Sequence, residues 1–229
     1  MTSGYVITIN AGNVVLDLNG YTVGGSGAGV GSNAYGIYAY QRKNITIRNG
    51  TVRGFIMGIM FNDDPPYTTS QGHIIEDIRA DRNTAVGLAV YGLGNIIRNN
   101  LVVDTGGSSS SFSSCGINVK GPGNRVINND VYETKEQGTY DANGILAYTA
   151  SGLVVENNRV GNAAFGTGTS YGIYLDTSSN AMVKDNTISK MTYGIVYAGS
   201  TGLYMNNLAS GCTVPFSGGT AAGSTNYHD

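Results

Sequence analysis

The sequence predicts an all-β chain wound as a single-stranded parallel β-helix, a right-handed solenoid of about 7–8 short coils. Three observations predict it: a glycine-centred motif in seven copies, an Asn/Asp-ended apolar motif in step with it, and apolar alternation with a period of two. No stretch carries a 3.6-residue apolar stripe, so helical solenoids are excluded.

The first motif is an aromatic or apolar residue, Gly, then Ile or Leu. It occurs as Tyr35-Gly36-Ile37, Met57-Gly58-Ile59, Val86-Gly87-Leu88, Cys115-Gly116-Ile117, Asn143-Gly144-Ile145, Tyr171-Gly172-Ile173 and Tyr193-Gly194-Ile195, with successive glycines 22, 29, 29, 28, 28 and 22 residues apart. The second motif is an apolar stretch ending in Asn or Asp, as in Ile47-Arg48-Asn49, Ile75-Glu76-Asp77, Ile97-Arg98-Asn99-Asn100, Val126-Ile127-Asn128-Asn129, Val155-Glu156-Asn157-Asn158, Val183-Lys184-Asp185-Asn186 and Tyr204-Met205-Asn206-Asn207. A weaker opening copy runs from Val14 to Gly20. Short parallel strands cannot bury their inner faces alone, but stacked at about 4.8 Å per coil they enclose a continuous core. The recurring Asn fits this scheme as scaffold, bonding to its equivalents above and below and tolerating a left-handed bend.

One domain is expected over residues 1–229, with first coils in 1–34, regular repeats in 35–210 and a Gly- and Ser-rich C-terminal tail or cap in 211–229. Low charge with 35 Gly is compatible with disorder, but 41% apolar residues and 16 Tyr favour a packed core. A net charge of -2 without any basic run argues against nucleic-acid binding. No apolar run is long enough for a membrane-spanning helix. The start, Met1-Thr2-Ser3-Gly4, has no signal-peptide features and leads straight into a strand, so upstream sequence is expected. The bare strand edge before Tyr5 predicts an interface there, with a homo-oligomer as one outcome. Cys115 and Cys212 fall about 14 Å apart along the solenoid axis and are expected as free thiols.

These repeats resemble those of the pectin-lyase-like right-handed β-helix superfamily, especially its NosD-like and uncharacterised bacterial members. The likeness spans residues 35–210. It implies a secreted or periplasmic location and a polysaccharide or oligosaccharide as partner. Superfamily activities include lyases, hydrolases, uronate epimerases and tailspike depolymerases, and some members have none assigned. The enzyme motifs are incomplete here. Asp63 and Asp64 are too few for a calcium-centred lyase site and read as turn residues before Pro65. Gly72-His73-Ile74 departs from the hydrolase Gly-His-Gly, and the epimerase Tyr-Gly-x-Asp-Pro-His string is absent. No cofactor is expected, with Ca2+ the one cation the resemblance leaves open. With two His in the chain, no metal site is expected.

Alternation places the residue after each Gly, and the one two further on, inside: Ala39, Phe61, Val90, Val119, Ala147 and Leu175. The outward rows then read Tyr40, Asn62, Tyr91, Lys120, Tyr148, Asp176, Ala198 and Tyr38, Met60, Ala89, Asn118, Leu146, Tyr174, Val196. Tyr35, Tyr171 and Tyr193 fall on the inward register and are expected in the core. A tyrosine row with Asn, Lys and Asp suits a sugar chain, with rings on pyranose faces and polar groups on hydroxyls. The same tyrosines also suit plain cross-strand stacking. Tyr40, Asn62, Tyr91, Asn118 and Tyr174 are the candidate substrate-binding residues. Lys120, Tyr148 and Asp176, on successive coils, are the candidate catalytic set for proton abstraction at C5 of a uronic acid, giving elimination or epimerisation.

The return from the Asn/Asp corner to the next glycine is long in three consecutive coils, around Asp104–Ser114, Glu133–Ala142 and Gly161–Ser170, so stacked loops are expected beside the middle of the helix. A longer second coil places Asn62 to Tyr67 where it would overhang the row. Three functions stay open: an enzyme on an acidic glycan, a non-catalytic glycan-binding module, and an assembly solenoid.

Overall fold

The computed structural model describes residues 2–25, 27, 29–108, 113–136, 140–163 and 168–229. The described residues form three strand-built faces wound around one apolar core. The first face is a nine-stranded sheet of Ser3–Thr8, Asn33–Tyr40, Met57–Asn62, Val86–Tyr91, Ser114–Lys120, Ala142–Tyr148, Ser170–Asp176, Tyr193–Ala198 and Val214–Ser217, in chain order. The other two faces share a 16-stranded sheet, because Ile45–Arg53 and Ile74–Asp81 run across the corner between them. Past those coils the faces separate, as in Arg125–Ile127 on the second and Asp130–Thr134 on the third. The strand pairings are parallel.

The asparagine corner divides its labour between two residues. The first of each pair takes the left-handed backbone: Asn49, Asp77, Asn99, Asn128, Asn157, Asp185 and Asn206 have φ between 52° and 59°. Asn and Asp reach that region more cheaply than most side chains. The second residue turns inward. Asn129 donates its amide to Asn158 Oδ1 at 3.0 Å and to the Ile97 carbonyl at 3.0 Å, while Asn158 Oδ1 also accepts the Asn129 main-chain N–H at 2.9 Å. The same bonds link Asn100 to Asn129, Asn158 to Asn186, Asn186 to Asn207 and Asn207 to Asn226. The ladder reaches into residues 211–229, which add strands Val214–Ser217, Thr220–Ala221 and Tyr227–His228 as one more rung and do not fold over the last coil.

A second polar column lines the corner between the first and second faces. His73 is buried there, accepting the Ile45 N–H on Nδ1 at 3.1 Å and meeting Ser70 Oγ with Nε2 at 2.8 Å. Its own N–H bonds to Asn95, whose amide bonds to Asn124. Burial pushes the imidazole down to about 4, so His73 is neutral scaffold.

The pattern glycines are required by packing. A Cβ on Gly116 would lie 2.4 Å from Val131 Cγ1 of the third face and 2.6 Å from the Gly144 carbonyl oxygen. Gly144 stands in the same relation to Val160 and Gly172. The main chain bends at this point, and that close approach leaves no room for a side chain.

The two halves of the asparagine pair should respond differently to mutation. Asn129→Ala strands buried partners above and below, and chemical denaturation should show a loss of about 2–3 kcal/mol. Asn128→Gly keeps the left-handed bend and should stay within about 1 kcal/mol of the parent.

His73 predicts a pH dependence. Its folded value lies below the ordinary value of about 6.5, so the unfolded chain binds more protons between the two. Stability from this group is complete above about 6.5 and falls as pH drops toward about 4, by up to roughly 3 kcal/mol. Denaturation series on His73→Asn should lack that component.

Candidate functional site

Pairing in the first sheet sets the outer rows. Tyr91 stands against Lys120, Lys120 against Tyr148, Tyr148 against Asp176 and Asp176 against Ala198. Tyr40 pairs with Asn62 near the head of this row. The neighbouring row carries Tyr38, Met60, Ala89, Asn118, Leu146, Tyr174 and Val196. Between the rows, Ala39, Phe61, Val90, Val119, Ala147 and Leu175 enter the core.

The residues before the pattern glycines do not follow this alternation. Tyr35, Tyr171 and Tyr193 were expected inside, yet they are half-buried on the outer side. Tyr171 stacks on Tyr193 at 5.1 Å between centroids and leans on Tyr174 at 4.7 Å, while Tyr35 packs beside Tyr5 and Tyr38. The cause is the bend at glycine, which turns Gly inward next to an inward Ile and so shifts the parity of everything before it. A third outer row follows, in which Cys115 stands against Asn143 and Asn143 against Tyr171.

These rows enclose a hollow of about 320 Å³ lined by Asn118, Lys120, Asp141, Asn143, Tyr148, Tyr174 and Asp176, with Leu146 and Ser113. All three candidate catalytic residues line it. Lys120 is its most distinctive group: its ammonium lies 4.3 Å from the Tyr91 ring centroid, 5.5 Å from Tyr148 and 5.9 Å from Tyr67. Among the described residues it forms no ion pair, unlike the cross-rung pairs Arg98–Glu76, Lys184–Glu156 and Arg159–Asp130. Burial holds its pKa below the ordinary lysine value, and burial likewise raises the Asp141 carboxyl and the Tyr91 and Tyr174 hydroxyls. Asn118 is 8% exposed, donates to the Tyr91 hydroxyl at 3.3 Å and leaves its own carbonyl oxygen without a partner.

Tyr67 comes from the long second coil, which does reach over the row: its ring meets Tyr91 at 6.1 Å. Asp63 shapes that loop by accepting the N–H groups of Asp64, Thr69 and Ser70. Asp64 takes the Tyr40 hydroxyl. Tyr40 and Asn62 thus lie along the row toward the N-terminal end, outside the hollow. The tips of the three stacked loops fall in residues 109–112, 137–139 and 164–167, outside the described residues. Cys115 and Cys212 are free and buried. Burial pushes the Cys115 thiol up to about 12, too high for a nucleophile. Among the described residues no cluster of His, Cys, Asp and Glu could hold a metal ion, and no helix is long and apolar enough to cross a membrane.

A family model described as "Right handed beta helix region" matches residues 4–160 and 108–227. The chain belongs to that family. Its β-helix is similar to the crystal structure of a double mutant of the periplasmic alginate epimerase AlgG, with a TM-score of 0.67 at 15% identity, over 86% of this chain and 49% of that one. The chain therefore spans about half the length of that epimerase. Weaker likenesses include pectate lyase Pel9A, with a TM-score of 0.45, 14% identity and coverage of 99% and 68%. Another is the A-module of mannuronan C-5 epimerase AlgE6 from Azotobacter vinelandii, with a TM-score of 0.40, 16% identity and coverage of 96% and 80%. No curated protein matches the sequence.

The burial of Lys120 predicts its titration. With the folded pKa below the unfolded value of about 10.4, the unfolded chain binds the extra proton in the interval between them. Stability should rise with pH through that interval, and Lys120→Met should abolish the rise. Side-chain NMR of labelled lysine should show one resonance titrating below the rest, and a midpoint equal to the others would contradict the geometry.

Proposed function

We propose that the first face binds an acidic polysaccharide along its tyrosine rows and acts on it at the hollow around Lys120. The observation that carries this reading is Lys120 itself. A half-buried ammonium held by three rings, with no carboxylate of its own, is ready to receive the carboxylate of a uronic acid. Asn118 and Asn143 offer amides to sugar hydroxyls, and Tyr148 and Tyr174 offer ring faces. The β-helix shared with an epimerase named for alginate is consistent with this partner.

The finer reading assigns steps. Lys120 pairs with the substrate carboxylate and so makes the C5 proton more acidic. Tyr148, on the next rung, is the base that takes that proton, and Asp176 holds a ring hydroxyl. In elimination the electron pair closes the C4–C5 double bond, the bond to O4 breaks, and Asp141 returns a proton to O4. Asp141 suits this step because burial raises its carboxyl pKa. Delivery of a proton to the opposite face of C5 gives the epimer instead.

Titrations with alginate, polygalacturonate and a neutral glucan test both levels. The parent should bind a uronate polymer, and Lys120→Met should weaken that binding at least about tenfold. Tyr148→Phe should keep binding while abolishing the ultraviolet signal of unsaturated uronate, or the entry of solvent deuterium at C5. Binding without turnover reduces the protein to a glycan-binding module. The absence of binding to any uronate polymer overturns the proposal.

A further inference from the structure

The third face carries a hollow of its own, of about 370 Å³, remote in the fold from the tyrosine rows. Its outward residues are set by pairing: Val103 stands against Tyr132, Tyr132 against Gly161 and Gly161 against Ser189. Gly161 has no left-handed backbone, but a Cβ on it would lie 2.3 Å from Ser189 Oγ and 2.8 Å from the Ser189 carbonyl oxygen, so glycine there admits the next rung's serine and places no ring beside Tyr132. Tyr171 is covered on one side by the next rung's Tyr193, but Tyr132 faces a rung with no side chain. Its ring is 44% exposed and has no aromatic partner among the described residues.

The walls of the hollow are mostly apolar, with Leu101, Val103 and Val160 beside Tyr132, and the one charged pair among them leaves no net charge. Arg159 meets both oxygens of Asp130, each at 2.6 Å, in a flat, two-bonded pair. That pair neutralises itself while leaving outer edges that both donate and accept. Thr187, which stands against Arg159 on the next rung, and Ser189, which stands against Gly161, add hydroxyls. The volume lies at the low end of small-molecule sites, enough for one or two sugar rings.

We infer that this hollow is a second carbohydrate site, specific for a neutral pyranose that stacks on Tyr132 and hydrogen-bonds to the Asp130–Arg159 pair and to Ser189. An open ring face, a concave floor and a self-compensated ion pair together match the face and hydroxyl rim of an uncharged sugar. A uronate or sulfated sugar would find no free cation there. The inference is independent of the first-face reading, which requires Lys120.

Saturation-transfer NMR with neutral hexasaccharides of glucose, mannose and galactose tests it. At least one should bind the parent. Tyr132→Ala should weaken it about tenfold, and Tyr132→Phe should leave it within about twofold, because the ring makes the contact. Lys120→Met should not alter this binding, which separates the two sites. Thermal unfolding of Tyr132→Ala should stay near that of the parent, since the side chain is exposed. Failure of all three neutral probes to bind overturns the inference, as does undiminished binding by Tyr132→Ala.

Discussion

A column of buried asparagines fixes where each rung sits on the next. Asn158 shows the arrangement in full. Its oxygen accepts two N–H groups from Asn129, and its amide reaches both Asn186 and the Val126 carbonyl. A rung shifted by one residue would break all of these inside an apolar interior, where unmet polar groups are costly. The column therefore locks both height and rotation. The surface rows inherit that precision, since Lys120 lies between Tyr91 and Tyr148 only because every corner is pinned alike. The glycine bend completes the lock from the other side of the core, by admitting Val131 and Val160 into spaces that a methyl group would occupy.

The same constraints explain what could be read from the sequence. Asparagine at the inward corner and glycine at the bend are nearly irreplaceable, so both recur and the solenoid is plain. The two rows beyond each glycine were legible because strand alternation is undisturbed there; Lys120, Tyr148 and Asp176 fell where they were expected. Before each glycine the alternation breaks, which hid the outward setting of Tyr35, Tyr171 and Tyr193 and the place of Asn143 in the hollow. Asp141 was not legible at all, and Tyr67 only as the end of an overhanging loop, without its contact to Lys120. One precedes a strand and the other ends a loop, and neither periodicity nor composition fixes where such residues point.

Charge is used sparingly and mostly in pairs. Cross-rung partners such as Arg48–Asp17, Arg98–Glu76 and Lys184–Glu156 run along the outside and compensate locally. Exposed pairs of this kind add little to stability. Against that background an ammonium resting on aromatic rings stands apart, because ring faces attract it without consuming its charge. The Tyr91 hydroxyl, bonded to Asn118, ties the lysine's support to the adjacent row, so the cage and the hollow form one unit.

The asparagine ladder bonds each coil to its immediate neighbours, and the linking groups are chemically the same from Asn100 to Asn226. Duplicating one coil in the gene would therefore supply its own connectors on both sides and leave the ladder intact. Deleting one would do the same. The length of the outer rows is thus adjustable in whole steps by recombination, without inventing any new fold.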